Sequence, residues 1–575
     1  MKKVIIFIVV LGLVAIGTSY LLKPAHKEVK PAKLLPADTL LMVELVNLEK
    51  SIDDFKSGKL GQKLNEIDLT GVMQNLEVSV KAIEEYEKTK SAVLSTLDSM
   101  LFKELFGQET VLAILPLKID TLTPEGLKKA IGSLVLISRP KSSAELVEFV
   151  SQIFMKNLKF QTEVYAGYEI KSFELDYDIT VHYSLADGLL VATLDQQAIK
   201  NCLDLRKNQQ PSLDQNKYYQ DLRSKLASSG TKTFVYNNTK KMYESIISIS
   251  RLIIKEEEFS DTERSLAVFK GLKAIGFASY DDGSDLLQNR TLAMIDKKGL
   301  EPVYAKAYFT EPGENKTLQI VPDNTLVYYW ANNLYLKSFW DIYFENQFLN
   351  DEEKESMKTS LEKEIGVSLD EVFQAVGNQF GLILTDINTG GLFPVPKLTF
   401  FVEIANQDTL AKLMDSVMQK SGMVLQKEEF NDIKINYIML PFGNDVQPAY
   451  AFFNGFCIVS INHQLIKDII STYKNGDNIT TDKDFLAVNK GLTDKNNNIM
   501  FVKFDQLIDK IKELIVFGKN MIVLKDQGEA EKAAIVISGV INPALDGLKM
   551  YRTIGSRSFI KEDEIEADIY YKIDR

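Results

Sequence analysis

The sequence predicts an α+β fold of two tandem similar domains with mostly antiparallel sheets and packed helices, behind an N-terminal transmembrane helix. Three observations lead to this fold class: a motif that occurs twice, strand and helix patterns that follow each copy in the same order, and a long apolar run at the start of the chain. Two long copies indicate two domains, because a solenoid repeats every 20–50 residues or so and needs at least three units.

The repeated motif is Pro-Ala-Asp-Thr-Leu at Pro36–Leu40, which returns as Pro-Asp-Asn-Thr-Leu at Pro322–Leu326, a separation of 286 residues. Farther along, Ile199-Lys200 returns as Ile466-Lys467, and Phe234-Val235 as Phe501-Val502, each at a separation of 267 residues. A constant separation over such a stretch indicates a duplication, and the shorter second copy has lost residues in a helical interval behind the motif.

The chain has 575 residues, 45% of them hydrophobic and 25% charged, which is enough for two sizeable cores. We therefore divide it into an N-terminal transmembrane anchor or uncleaved signal at 1–22, a linker at 23–34, a first α+β repeat at 35–298, a connector at 299–318 and a second repeat at 319–575.

The N-terminus predicts the location of the protein. Met1–Lys3 precede the apolar run Val4–Leu22, whose 19 residues approach the roughly 20 that cross a bilayer as a helix. This length favours a signal anchor over a cleaved signal peptide. Lysines flank the run on both sides, so the orientation stays open, but a basic leader is typical of export. We expect a single-pass inner-membrane protein with the bulk of the chain on the periplasmic side.

Within the first copy, short apolar strands alternate with amphipathic helices. Thr39–Val46 is predicted as a strand, Ser142–Phe154 as a helix, and Ala186-Asp187-Gly188 as a tight turn between strands. Asp195 is placed to cap the helix that follows. Strands joined by short turns, with helices between the groups, favour antiparallel sheets.

The composition argues against nucleic acid as a partner, and the sequence contains no motif that identifies a reaction. A net charge of −12 and a pI near 5.2 argue against nucleic acid, since a duplex binder needs clustered Lys and Arg. The sequence holds no dinucleotide-binding, phosphate-loop, nucleophile-elbow, Cys-x-x-Cys or zinc-protease motif. We therefore expect no cofactor, no metal and no identifiable catalytic residue. His182 and His463 are interpreted as structural, and Cys202 and Cys457 as small core residues.

One difference between the copies suggests a site. At the separation of 286 residues, acidic residues of the first copy are replaced by aromatic ones in the second, with Glu44 giving way to Trp330 and Asp54 to Trp340. The functional interpretation is a patch that binds a ligand or partner. The alternatives are that these residues fill the second core or the joint between the domains, or that a one-residue slip alters the pairing. The candidate binding residues are Trp330, Tyr335, Phe339, Trp340 and Tyr343.

The run Leu35–Leu40, followed by a strand, Asn47 and a helix, resembles the start of an uncharacterised family of bacterial envelope proteins, whose domain of unknown function follows an N-terminal membrane segment. The resemblance implies a bacterial envelope setting and no functional residues.

The sequence therefore predicts a membrane-anchored extracytoplasmic binding or scaffolding protein of the bacterial envelope, acting on a hydrophobic ligand, a lipid or an envelope protein partner. The alternatives are a carboxylate-dependent envelope hydrolase and a purely structural subunit. A hydrolase should place two acids within roughly 10 Å in a polar cleft, whereas a hydrophobic binder should line its cavity with apolar side chains.

Overall fold

The computed structural model of the protein describes residues 29–117, 131–141, 161–175, 179–207, 210–300, 304–305, 310–346, 350–420, 424–440 and 445–575. The chain forms two compact units. Unit 1 contains the described residues of Met1–Gly58, Glu77–Asp282 and Asn289–Gly299, and unit 2 contains Lys59–Leu76, Gly283–Gln288 and those of Leu300–Arg575.

Unit 1 is built on antiparallel strands. They are β1 (Leu41–Val46), β2 (Glu109–Ile114), β3 (Leu134–Arg139), β4 (Gln161–Tyr165), β5 (Tyr168–Leu175), β6 (Ile179–Ala186), β7 (Leu189–Thr193), β8 (Thr231–Asn237), β9 (Leu272–Tyr280) and β10 (Leu286–Ile295, in this unit from Asn289). Their order in space is β4-β5-β6-β7-β3-β2-β1-β8-β9-β10. The first strand of the unit therefore lies inside the sheet.

Unit 2 uses the same plan. Its strands are β11 (Val327–Ala331), β12 (Val376–Asn388), β13 (Val395–Ile404), β14 (Leu425–Phe430), β15 (Ile433–Ile438), β16 (Ala449–Phe453), β17 (Phe456–Ser460), β18 (Asn498–Lys503), β19 (Tyr551–Lys561) and β20 (Glu564–Ile573). Their order is β14-β15-β16-β17-β13-β12-β11-β18-β19-β20, all antiparallel. The strand order of unit 1 is thus repeated.

Helices cover these strands. In chain order they are α1 (Leu48–Ser57), α2 (Lys59–Asn65), α3 (Leu69–Asn75), α4 (Val80–Asp98), α5 (Met100–Phe106), α6 (Gln196–Asp204), α7 (Lys217–Leu226), α8 (Thr239–Ile253), α9 (Glu256–Ser265), α10 (Leu336–Asn346), α11 (Asp351–Ile365), α12 (Leu369–Ala375), α13 (Gln407–Lys420), α14 (His463–Asn475), α15 (Lys483–Val488), α16 (Phe504–Val523), α17 (Gln527–Val536) and α18 (Asn542–Leu548). Side-chain caps begin many of them. Asp195 caps α6 through Gln197 N, as predicted, and Asn462 caps α14 through Gln464 N.

The repeated motif forms the same turn in both units. The Thr39 hydroxyl donates to the Pro36 carbonyl at 2.6 Å, and the Thr325 hydroxyl donates to the Pro322 carbonyl at 2.7 Å. Both threonines are fully buried, so the turn satisfies a hydroxyl that would otherwise be costly to desolvate. The motif is therefore a structural turn that leads the chain into the first strand of each unit.

Two tight turns, one in each unit, are likewise determined by the residues within them. Asp187 and Gly188 join β6 to β7 with φ of 52° and 80°, and Asn454 and Gly455 join β16 to β17 with φ of 51° and 81°. Two positive φ angles match the right-handed twist of the flanking strands, which is why Asp-Gly and Asn-Gly are favoured there. The predicted turn at Asp187-Gly188 is confirmed.

Each core begins in the segment that precedes the motif. Ala32 and Leu34 are buried in unit 1, and Leu318 and Ile320 occupy the matching places in unit 2. Residues 29–34 fall within the range predicted as a linker, yet Pro31–Leu34 forms a short 3-10 helix against this core. Burial of Leu34 stabilises this short helix against the core.

Both cysteines are core residues with free thiols. Burial raises the pKa of the Cys202 thiol to about 12 and that of Cys457 to about 11. A thiol with so high a pKa is protonated at neutral pH and is a poor nucleophile.

The membrane part of the predicted fold class is corrected. Among the described residues, no helix is both long enough and apolar enough to cross a membrane. The longest, α4 and α16, have 19 and 20 residues but carry many charges, which a hydrocarbon core does not accept. Residues 1–22, on which the transmembrane helix, the signal anchor and the membrane partner rested, lie outside the described residues. The fold class is therefore stated without a membrane-spanning helix.

The central strand of each unit carries a buried polar group. In β1, Glu44 is 4% exposed and accepts two hydrogen bonds from the Arg223 guanidinium, with Arg223 Nη2 at 2.9 Å from Glu44 Oε1. The guanidinium carbon of Arg223 also lies 4.7 Å from the centre of the Phe234 ring. A buried carboxylate that keeps two such bonds remains compatible with an interior position.

We expect Arg223→Ala to lower the free energy of unfolding by about 3 kcal/mol, because it leaves the buried Glu44 carboxylate without its guanidinium partner. Urea unfolding at pH 7 followed by near-ultraviolet circular dichroism measures the loss. Lys241→Ala is the control, since its pair with Glu244 is exposed and should contribute less than about 0.5 kcal/mol. Equal effects of the two changes would show that the Glu44 pair does not stabilise unit 1.

Candidate functional site

The sequence-predicted aromatic residues do not form one surface. Trp330 lies in β11 with its side chain fully buried in the core of unit 2. Its Nε1 donates to Oε1 of the buried Gln379 at 3.0 Å, which satisfies the indole N–H. Trp330 therefore fills the core, the alternative that the sequence had left open for this stretch.

The other four aromatic residues lie on or just before α10. Trp340 packs on Phe373 with ring centres 5.9 Å apart, and the Tyr335 hydroxyl accepts a hydrogen bond from Thr310 at 3.2 Å. Phe339 and Tyr343, four residues apart, are 46% and 52% exposed. The structure thus brings Phe339 and Tyr343 onto one exposed face, and a binding role for that face stays a prediction.

A different feature of unit 2 has the form of a binding site. A cleft of about 600 Å³ lies between the start of α14, the end of β15 and the β12–β13 hairpin. Apolar groups form a minority of its lining. The polar side chains that line it include Asn388, Lys397, Asp445, Gln447, Gln464 and Asp468.

Hydrogen bonds hold these polar side chains in place. Gln464 Nε2 donates to Asp468 Oδ1 at 3.0 Å along the first turn of α14, and Asn388 Nδ2 donates to Asp445 Oδ2 at 3.1 Å across the cleft wall. Gly390 N also donates to Asn388 Oδ1 at 3.0 Å, so both polar atoms of Asn388 are bonded. The second polar atoms of Gln464, Asp468 and Asp445 are left for a ligand.

A histidine, His463, lies in the described lining of the cleft. Its ring stacks on Tyr437 with centres 4.6 Å apart and an angle of 24° between the planes. Nε2 lies 3.9 Å from Glu428 Oε2, while Nδ1 is shielded from solvent and has no hydrogen-bond partner among the described residues. Burial lowers the pKa of His463, the Lys467 ammonium lowers it further, and the Glu428 carboxylate opposes both.

An adjoining depression of about 480 Å³ is organised around Asp386. Lys397 Nζ lies 3.2 Å from Asp386 Oδ2, Lys510 Nζ lies 3.1 Å from Oδ1, and Ile387 N donates to the same carboxylate at 2.8 Å. Burial works to raise the pKa of Asp386, but the hydrogen bonds from Lys510, Lys397 and the backbone outweigh it and hold the pKa below its usual value. Asp386 is therefore a permanent anion at neutral pH.

Unit 1 contains a related cluster at the matching place. Lys200 Nζ lies 2.8 Å from Glu163 Oε1, and Gln196 Nε2 donates to Glu163 Oε2 at 2.7 Å. In unit 2, Lys467 Nζ lies 2.6 Å from Glu428 Oε1, and His463 stands where unit 1 has Gln196. Each lysine also lies over an aromatic ring, 5.1 Å from the centre of Tyr165 and 5.8 Å from that of Phe430. Both units thus use an acid, a lysine and an aromatic ring to tie the edge hairpin to the helix.

A serine and a histidine also meet in unit 1. Ser172 Oγ and His182 Nδ1 are 2.7 Å apart on neighbouring strands. Ser172 is only 9% exposed, so its hydroxyl is not presented to a substrate as a nucleophile must be. Burial lowers the pKa of His182, with smaller effects of Asp195 and Lys200 in opposite directions. The pair is a contact between strands, as the structural interpretation of His182 predicts.

The sequence reasoning missed the cleft because its residues come from separate turns and strand ends and follow no motif. The signals that it did contain were the pairing of Ile199-Lys200 with Ile466-Lys467, and the exchange of Gln196 for His463 at the start of the following helix. That exchange places a histidine in the described lining of the cleft, and burial lowers the pKa of this histidine.

The chain belongs to the family described as protein of unknown function (DUF3352), whose model matches residues 103–395. The match includes Asn388 and Val395 of the cleft and begins after the Pro36–Leu40 motif, so neither that motif nor an N-terminal membrane segment is supported as a mark of the family. No curated protein and no solved structure matches the chain.

We expect Trp330→Ala to lower the free energy of unfolding of unit 2 by about 3–5 kcal/mol, because it opens a cavity in the core and leaves Gln379 Oε1 with only the longer bond from Lys316 N at 3.4 Å. Phe339→Ala is the matched control and should cost less than about 1 kcal/mol, since its side chain is half exposed. Thermal and urea unfolding compare the two. Similar small effects in both variants would contradict the burial of Trp330.

We expect His463 to titrate below pH 6.5 in an NMR titration of imidazole signals, with His182 also shifted down. Because the folded state then binds fewer protons than the unfolded state, the free energy of unfolding falls as the pH drops from 6.5 towards the lowered pKa. His463→Gln, which restores the residue of unit 1, should remove its part of this pH dependence. A His463 pKa at or above 6.5 would contradict the assignment.

Proposed function

We propose that this protein is a binding or scaffolding protein of the bacterial cell envelope, and that unit 2 holds a polar ligand in the cleft at the start of α14. The observation that carries the proposal is the cleft itself, a concave site of about 600 Å³ lined by several convergent polar side chains. The ligand differs from the hydrophobic one that the sequence suggested, because apolar groups form the minority of this lining.

The arrangement of the cleft suits binding. Its carboxamides and carboxylates are fixed by bonds to one another, as in the pairs Gln464–Asp468 and Asn388–Asp445. Groups that are already held in place lose little conformational entropy when a ligand binds, so each new hydrogen bond contributes more to affinity. The stack of His463 on Tyr437 adds a rigid aromatic wall.

One observation favours keeping a second candidate, the carboxylate-dependent envelope hydrolase. Asp445 and Asp468 both line the same polar cleft, and such an enzyme works with two carboxyl groups in one cleft. Each accepts a hydrogen bond from a carboxamide, so each can also orient a bound hydroxyl without exchanging a proton. We place binding first because the side chains that hold both aspartates are carboxamides, which orient a ligand but do not transfer protons.

The envelope setting rests on the sequence. Met1–Lys3 and the apolar run behind them have the pattern of exported proteins, and the net charge of −12 fits no role on nucleic acid. We accordingly propose that the bulk of the chain acts on the periplasmic side. The exposed face of Phe339 and Tyr343 is the candidate surface for an envelope protein partner.

We expect native mass spectrometry of the full chain, purified gently from the periplasm, to show a bound polar ligand. Gln464→Ala should lower its occupancy about tenfold, because the change removes a hydrogen bond and frees Asp468. The matched control is Gln197→Ala, the same position in the corresponding helix of unit 1, where Gln197 bonds Asn201 at 2.9 Å. An empty wild-type protein, or equal losses in both variants, would remove the cleft as the binding site.

A further inference from the structure

The cleft adjoins two further depressions, and the three together are called the groove here. It shares Lys397, Leu465 and Asp468 with the adjoining depression, and that depression shares Asp509 with a third one of about 560 Å³ along α16. Three depressions in a row, each large enough for a small ring-sized group, suit an extended chain better than a single compact molecule.

The charges of the groove exclude a polyanion. Its three lysines are already paired: Lys397 and Lys510 with Asp386, and Lys512 with Asp546 at 2.7 Å. The lining contains the five carboxylates Asp386, Asp445, Asp468, Asp509 and Glu513 against those three lysines, with His463 neutral because its pKa is lowered. A phosphate-rich or sulfate-rich chain would find no unpaired ammonium and a net negative field.

An extended peptide is the competing ligand for the groove. β12 pairs with β11 only as far as Leu384, and β13 pairs with β17 only from Thr399, so the strand ends beside the groove each have one edge without a partner strand among the described residues. A peptide that binds such an edge through main-chain bonds also places alternate side chains in pockets. The mostly polar lining provides few apolar pockets for them, which favours another ligand.

What the groove does offer is a series of planar polar groups. In Gln464, Asp445 and Asp468 one polar atom is held by a neighbouring side chain, and the other polar atom can bond a hydroxyl group of a ligand. The stacked rings of Tyr437 and His463 form a flat wall beside them, against which the face of a pyranose ring can pack. Neighbouring hydroxyls on a ring with an apolar face are the chemistry of a sugar.

We propose that the ligand of the groove is a neutral, linear glycan chain that spans the three depressions. This inference rests on the proposed binding function and names its ligand class. Asp386 with its two lysines lines the second depression, which shares residues with the first and the third. Because the glycan is neutral, ion pairs do not contribute to its binding. Its affinity therefore depends on the number of sugar units that the groove holds.

The test is a glycan array probed with the full-length protein and followed by titration calorimetry. The array carries neutral linear oligosaccharides of two to eight units, sulfated and phosphorylated ones, and extended peptides. We expect binding to neutral chains, with affinity that rises with length and levels off once the groove is filled. Gln464→Ala should weaken binding about tenfold and Gln197→Ala should leave it unchanged, with thermal unfolding of both variants as a check on folding.

Binding only to charged glycans, only to peptides, to no probe, or without dependence on length would overturn the glycan assignment. If the purified protein still carries a ligand that Gln464→Ala releases, the proposed binding function stands while this inference fails. If neither experiment detects a ligand, both fail. Shortening of a bound oligosaccharide, seen by mass spectrometry, would support the glycan assignment and replace the binding protein with a hydrolase.

Discussion

The interior position of the first strand in each sheet is the constraint on which the rest of the fold depends. β1 is hydrogen-bonded to β2 and β8, and β11 to β12 and β18, so these strands are paired along both edges. A polar side chain on the buried face of such a strand must find its partner inside the unit. Glu44 finds Arg223 and Trp330 finds Gln379, two different solutions for the same place in the fold.

This constraint also explains why the duplicated motif is so easy to recognise. The chain must enter the centre of the sheet at a fixed angle and register, and a shift by one residue would exchange the buried and exposed faces of the strand. The Pro36 and Pro322 turns, closed by the hydroxyls of Thr39 and Thr325, fix that entry. Proline and threonine at these positions therefore reflect folding rather than ligand binding.

Features with local causes could be predicted from the sequence. The turn at Asp187-Gly188 depends on residues that tolerate positive φ, and the cap at Asp195 on a side chain that reaches its own helix, so a few neighbouring residues determine each. The burial of Trp330 could not be predicted from its neighbours. Alternating side chains define the two faces of a strand, but they do not show which face the helices cover. The predicted membrane helix rested on apolar length alone.

The cleft depends on contacts between distant segments, and no local pattern records them. Asn388 and Asp445 come into contact because β13 pairs with β17, which brings the turns beside these strands together. The position of Gln464 depends on where β17 ends, since α14 begins just after it. The ionisation of Asp386 likewise cannot be predicted from its neighbours in the sequence. Asp386 lies in a sequence without any basic neighbour, yet two lysines from different elements determine its ionisation.

Comparison of the two units separates what the fold needs from what the site adds. Glu163 with Lys200 and Glu428 with Lys467 keep the same geometry, so that pair serves the hairpin in both units. Around it the units differ: the register of the hairpins places Ser172 of β5 where β15 has Tyr437. Tyr437 stacks on the aromatic ring of His463, where unit 1 has Gln196. The two changes together make an aromatic wall, so specialisation of unit 2 is concentrated where the cleft opens.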